Sequence, residues 1–144
     1  MDVIFDIDGT LANLEHRRNF IASKPKNYKA FYAGMSYDLP IQPVIDVLKH
    51  LRKSGCRIIL CSGRPDNYRV LTEEWCLAHD IEAEGLYMRR ANDFRGDDII
   101  KQELLDQIMA DGFDPQIVFD DRSRVVAMWR KNGLICAQVD EGNF

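Results

Sequence analysis

Residues 2–10 read DVIFDIDGT. The first part is an apolar run suited to a short buried strand over residues 2–6, and Asp8-Gly9 is a turn signal that ends it. Asp6 and Asp8 stand two apart. In extended chain, positions i and i+2 project to the same side, so both carboxylates can face one site. That site lies beyond the carboxyl end of the strand, where open α/β sheets bind ligands. Gly9 permits a sharp turn and brings backbone N–H groups close to an anion. Two acids at one strand end repel each other without a counter-charge. A divalent cation removes that repulsion, and magnesium favours carboxylate and carbonyl oxygens while keeping waters and phosphate as further ligands. An isolated D-x-D-G is equally a turn with two solvated aspartates. The apolar strand before it, and three further sites downstream, favour the ligand site.

Beyond this stretch the chain alternates between strand and helix signals. RIILC (57–61), LYM (86–88), IVFD (117–120) and LICAQV (134–139) read as strands. PVIDVLKHLRKSG (43–55) places Val44, Val47, Leu48 and Leu51 on one helical face and stops at Gly55. Residues 66–79 read as a helix with Asp66 as N-cap. Residues 97–109 follow with acids in the first turn, and 122–132 with Arg130 and Lys131 in the last. Strands alternating with helices predict an α/β fold, a parallel sheet with helices on both faces. Residues 11–40 break the alternation. They hold two helix-like pieces, LEHRRNFIASK and NYKAFYAGM, split at Lys24-Pro25, and end in YDLPIQP. The expected organisation is one domain over 1–144 with a small insert at about 11–40.

Three more sites fall at strand ends or on a helix. CSGRP (61–65) offers the Ser62 hydroxyl and the Gly63 and Arg64 N–H groups at a strand-to-helix turn, a phosphate cradle or a plain turn. The Arg64 guanidinium suits bidentate phosphate binding. Lys101, in DDIIKQELL, is either a solvated helical charge or a point charge that neutralises Asp6 and a transferring phosphoryl group. Asp120 and Asp121, in FDDRS, suit metal ligation, direct or through water, and Asp121 equally suits an N-cap of the next helix. His16, His50 and His79 show no metal-ligand spacing. His16 lies in the insert, close enough in sequence to approach a substrate.

The bulk properties bound the rest. The 144 residues are 46% hydrophobic and 29% charged, the composition of a single globular domain. A formal charge of -4 argues weakly against duplex nucleic acid held by general phosphate neutralisation. Cys56, Cys61, Cys76 and Cys136 form no C-x-x-C pair and read as reduced thiols of a reducing compartment. No Walker A sequence is present, which argues against a P-loop kinase. No leader signal and no apolar run of membrane length stand out, so the expectation is a cytoplasmic protein without membrane contact.

DIDGT, then SGR, then Lys101, then DDR, in this order and spacing, resembles the haloacid dehalogenase superfamily across nearly the whole chain. From about Arg95 onward, RGDDIIKQELL and FDDRSRVVAMWRKNGLICAQVDEGNF are also similar to the phosphatase domains of bacteriophage polynucleotide kinases. The resemblance implies a three-layer sandwich with a Rossmann-like parallel sheet, residues of roughly 11–40 forming a small helical cap. It implies that Asp6 attacks phosphorus and carries an aspartyl-phosphate, and that Asp8 protonates the leaving oxygen and then activates water. It implies magnesium on Asp6, the Asp8 carbonyl and Asp121 with Asp120 assisting, and Thr10, Ser62, Gly63, Lys101 and Arg64 about the phosphate.

Substrate choice falls to the insert. There Arg17, Arg18, Lys24, Lys26 and Lys29 interleave with Phe20, Tyr28, Phe31, Tyr32 and Tyr37. Arg17 and Arg18 are candidate substrate contacts. The pattern suits a nucleotide or single-stranded end, and equally two amphipathic helices whose aromatics pack on the core. Three readings stand: a 3′-phosphatase on polynucleotide ends, with a kinase or ligase as partner; a phosphatase for free nucleotides or other small metabolites; and a non-catalytic binding domain. The third predicts a missing Asp6, Asp8 or Lys101, and all three are present.

Overall fold

The computed structural model describes residues 1–144. Its first strand, β1 (Asp2–Phe5), is buried at every position. A stem of two very short strands follows, β2 (Ala12–Asn13) and β3 (Leu39–Pro40), paired antiparallel. Between them lie α1 (Asn19–Ala22) and α2 (Tyr28–Ala33), flanked by 3-10 turns at Glu15–Arg17 and Gly34–Tyr37. The rest alternates as expected: α3 (Gln42–Lys53), β4 (Arg57–Pro65), α4 (Arg69–Ala78), β5 (Gly85–Arg89), α5 (Asp97–Ala110), β6 (Pro115–Asp120), α6 (Ser123–Lys131) and β7 (Ile135–Gln138).

The five long strands form one sheet in the order β5-β4-β1-β6-β7, and every pairing is parallel. β1 therefore sits in the middle. Alternation along it splits the core in two. Val3 and Phe5, with Ile58 and Leu60 of β4, pack against Ile45 and Leu48 of α3 and Trp75 of α4. Ile4, with Ile59 and Cys61, packs on the other face against Leu105 and Ile108 of α5 and Trp129 of α6. Each such side chain, fully buried, contributes roughly 1.5–3 kcal/mol. The result is a three-layer α/β sandwich, with β1 aiming Asp6 out of its carboxyl end.

Several local expectations change. On α3, Ile45 and Leu48 are buried and Val44 and Leu51 partly so, whereas Val47 is exposed. Ile45 takes the place of Val47 on the face that meets the sheet. Asp66 does not cap α4: a 3-10 turn intervenes, and its carboxylate accepts from the Ala91 N–H at 3.0 Å. Asp121 does not cap α6 either. Asp120 accepts from the backbone N–H groups of Asp121 and Arg122, at 2.8 and 3.3 Å. β4 runs on to Pro65, so Ser62, Gly63 and Arg64 extend the strand instead of forming a turn. All four cysteines are free thiols. No helix is long and apolar enough to cross a membrane.

Candidate active site

The chain turns sharply after Ile7. Its carbonyl accepts from the N–H groups of Thr10, Leu11 and Ala12, at 3.1, 2.9 and 2.9 Å. Gly9 sits at φ +85°, and a Cβ there would lie 2.2 Å from an Asp121 carboxylate oxygen. Only glycine meets both conditions. Gly9→Ala is accordingly expected to push Asp121 aside and to lower kcat/KM by about 100-fold, the size of effect a displacement of about 1 Å has at a catalytic site. Kinetics alongside a thermal melt would separate that loss from unfolding.

Asp6, buried at the strand end, is held through both carboxylate oxygens. Lys101 Nζ donates to Oδ1 at 2.6 Å and Thr10 Oγ1 to Oδ2 at 3.0 Å. The same Lys101 ammonium donates to Asp120 Oδ2 at 2.9 Å, where Trp129 Nε1 also donates at 3.0 Å. Asp6, Asp120 and Asp121 each offer a carboxylate oxygen, all within 4.8 Å of one another. One lysine does not balance three carboxylates. Burial and the Asp120 charge push the Asp6 carboxyl well above its usual range, against the pull of Lys101. Burial and Asp120 likewise push Asp121 up to about 6. Burial alone would lower Lys101, but Asp120 and Asp6 hold it well above its ordinary value. Crowded all-oxygen donors with an unmet negative charge fit a hard divalent cation.

Asp8 has a different environment. Arg17 Nη2 donates to Oδ1 at 2.8 Å; Arg64 Nη2 donates to the same oxygen at 2.7 Å, and its Nε to both oxygens at 3.2 Å. Burial raises its pKa, but Arg64 and then Arg17 pull it down to about 2. Both guanidiniums are buried, and the Nη2 of each also reaches Asp38. Arg64 also donates to the Thr72 hydroxyl at 3.1 Å. In this structure the Arg17 and Arg64 guanidiniums both meet Asp8, and Arg64 also lines the cavity above it. Their charge cannot go unpaired in the interior. His16, read as a possible neighbour of substrate, meets Asp38 at 2.7 Å.

A cavity of about 750 Å³ opens over these groups. Asp6, Asp8, Gly63, Arg64, Lys101, Asp120, Asp121 and Arg18 line it, whereas Thr10, Ser62 and Arg17 lie behind its wall. The Ser62 hydroxyl accepts from the Arg64 N–H at 3.1 Å. Of the insert aromatics, Tyr28 and Tyr32 line the cavity, and Phe31 does so from beneath the Arg17 guanidinium. Phe20 and Tyr37 lie elsewhere.

Asp38, Asp97, Arg89 and Arg122 went unrecognised in the sequence. Asp97 binds Arg89 and, at 2.8 Å, Arg122. It approaches Gly63 so closely that a Cβ there would lie 2.6 Å from its Oδ1. Its position four residues before Lys101 was a usable signal, since i and i+4 share a helix face. Asp38 offered none.

The family model for the polynucleotide kinase PNKP phosphatase domain matches residues 1–144. A chain of the solved Pnkp1/Rnl/Hen1 RNA repair complex is 38% identical, with a TM-score of 0.85 over 99% of this chain and 43% of that one. A protein of Autographa californica nuclear polyhedrosis virus that carries the name bifunctional polynucleotide kinase/RNA ligase is 30% identical over 132 residues. These are 89% of this chain and 17% of that protein. A haloacid dehalogenase-like hydrolase from Streptococcus pneumoniae shares the fold, with a TM-score of 0.68 at 14% identity over 95% of this chain and 83% of that one. The chain spans less than half the length of the first two.

Proposed function

The chain belongs to the family of polynucleotide kinase PNKP phosphatase domains, phosphoric monoester hydrolases of haloacid dehalogenase type, and from that premise we propose that it removes 3′-phosphates from polynucleotide ends by a magnesium-dependent aspartyl-phosphate mechanism. The observation that carries the chemistry is the setting of Asp6: a strand-end carboxylate held at both oxygens, one by a buried lysine, on the floor of an open cavity.

In the proposed first half-reaction an Asp6 oxygen attacks phosphorus while the bond to the leaving oxygen breaks, and Asp8 gives that oxygen its proton. In the second, water attacks phosphorus, Asp8 takes the water proton, and the bond from phosphorus to Asp6 breaks. Lys101 keeps Asp6 and Asp120 from repelling the incoming dianion. Asp6, Asp121 and the Asp8 carbonyl, with Asp120 assisting, would hold magnesium, which would supply positive charge at the phosphoryl oxygens. With Arg17 and Arg64 beside it, Asp8 stands ionised, ready for the second half-reaction. Entering for the first, it must carry a proton, and the approach of a phosphate dianion favours that form. The two arginines fix its direction, and Thr10 fixes that of Asp6. Ser62 and Gly63 shape the wall behind the phosphate.

We take residues 11–40 as a small cap within a single unit, leaving the cavity open enough for a chain end. Four free thiols suit a reducing cytoplasm, and a kinase or ligase is the proposed partner. That the 38% identical chain comes from an RNA repair complex supports a polynucleotide over a metabolite.

The test is phosphate release from a 3′-phosphorylated oligonucleotide and from 3′- and 5′-mononucleotides. The expected result is a higher kcat/KM on the oligonucleotide, abolished by EDTA and restored by excess magnesium. Preference for a mononucleotide would move the enzyme to nucleotide metabolism, and full activity in EDTA would remove the metal from the mechanism.

A further inference from the structure

Phe94 is the most exposed large apolar side chain of the protein, 89% accessible, and it lines the cavity that holds Asp6 and Lys101. A lone apolar residue on a surface is ordinary. Two features set this one apart.

The first is the stiffness of its mount. Phe94 lies in the connection between β5 and α5. Asn92 adopts φ 65° there, and the Asp93 N–H closes on the Arg90 carbonyl at 3.2 Å. The side chains of its neighbours Asp93 and Arg95 grip each other through two contacts, at 3.0 and 2.8 Å. Arg89 then ties the connection to the active site. Its guanidinium donates to the carbonyls of Asp93, Arg95 and Gly63, at 2.9, 2.6 and 2.8 Å, and binds Asp97. A loop held this way fixes the backbone that carries Phe94 relative to the cavity, and leaves the ring itself free to meet a ligand.

The second is that the ring faces are free. Tyr28 and Tyr32 stack on each other, and Tyr32 also meets Tyr68, at centroid distances of 6.2 and 5.0 Å. The Phe144 ring has the Arg18 and Arg122 guanidiniums each at 5.0 Å. Phe94 has no aromatic or cationic partner. On the same cavity, half-exposed Arg124 reaches Asp98 only at 3.6 Å, a weak pairing that leaves it able to meet a backbone phosphate.

We propose that Phe94 is a base-stacking contact for the 3′-terminal nucleotides of the substrate, selecting phosphates carried by a nucleotide chain. This deepens the polynucleotide reading and rests on it. Stacking of a base on an aromatic side chain is sequence-tolerant, which suits an enzyme that must accept any end.

The test compares kcat/KM on a 3′-phosphorylated oligonucleotide with that on the same strand made abasic at its last two positions. Wild type is expected to favour the base-bearing end. Phe94→Ala is expected to reduce the ratio of the two values about tenfold, within the range alanine substitution gives for one stacked base, mostly through KM. Phe94→Trp is expected to restore it. An unchanged ratio in Phe94→Ala, or equal losses on both strands, would overturn the stacking role while leaving the polynucleotide reading intact. A wild type that prefers mononucleotides would overturn both.

Discussion

Asp6→Asn is expected to lower phosphate release by at least about 10⁴-fold, the scale on which removal of a catalytic nucleophile acts, and to leave the protein folded. Asparagine has the same shape. Its carbonyl oxygen can still accept from Lys101, which lies 2.6 Å from Asp6 Oδ1, and its amide can face the Thr10 hydroxyl. The substitution also removes one of three crowded acids, so the melting temperature should hold or rise. What disappears is the anionic oxygen that forms the bond to phosphorus. Steady-state phosphate release on any accepted monoester, beside a thermal melt, measures both. A folded Asp6→Asn protein that releases phosphate at the wild-type rate would end the covalent mechanism whatever the substrate. A loss of only a few-fold would point instead to a water nucleophile, with Asp6 confined to holding the metal.

How much of this was legible beforehand depends on whether the signal was local. The sheet could be read because Val3, Ile4 and Phe5 form an apolar run ended by a turn signal, and because the later strands alternate with helix signals. Asp6 and Asp8 could be read together because two residues of extended chain put them on one side. Lys101 and the acids at 120 and 121 were placed by their order and spacing after that motif. The partners of Asp8 were not legible. Arg17, Asp38 and Arg64 come from the insert and from β4, and they meet only once the insert folds down on α4. There the Trp75 indole N–H holds the Asp38 carbonyl at 2.9 Å. Nothing in SGR reveals that the Arg64 guanidinium meets an aspartate 56 residues earlier. The stem of β2 and β3 has two residues a side, too few for any alternation to register. The insert aromatics were ambiguous for the same reason: spacing could not separate Phe31, covered by Arg17, from Tyr28 and Tyr32.

Asp38→Ala is expected to be the most destabilising single change at the site. The carboxylate is fully buried and accepts from Arg17 Nε at 2.8 Å, from Arg17 Nη2 at 2.7 Å, from Arg64 Nη2 at 3.4 Å and from His16 at 2.7 Å. Its removal leaves two buried guanidiniums to share Asp8. Breaking a buried charge cluster by deleting one partner costs about 3–5 kcal/mol. For a chain of this length that corresponds to a fall of roughly 6–20 °C in Tm, at about 2–4 °C per kcal/mol. Urea denaturation should show the loss as a lower midpoint with little change in slope, because the folded surface is the same. Asp38→Asn keeps the volume and one acceptor and is expected to lose less. Activity should fall in both, with kcat more affected than KM, since Arg17 and Arg64 would no longer hold Asp8 in one direction while the phosphate-facing groups stay in place. The Trp75 bond to the Asp38 backbone survives either substitution, so the insert remains tethered and the effect isolates the side chain. An unchanged Tm in Asp38→Ala would mean that water reaches the two arginines, and that the insert is far more open in solution than their burial implies.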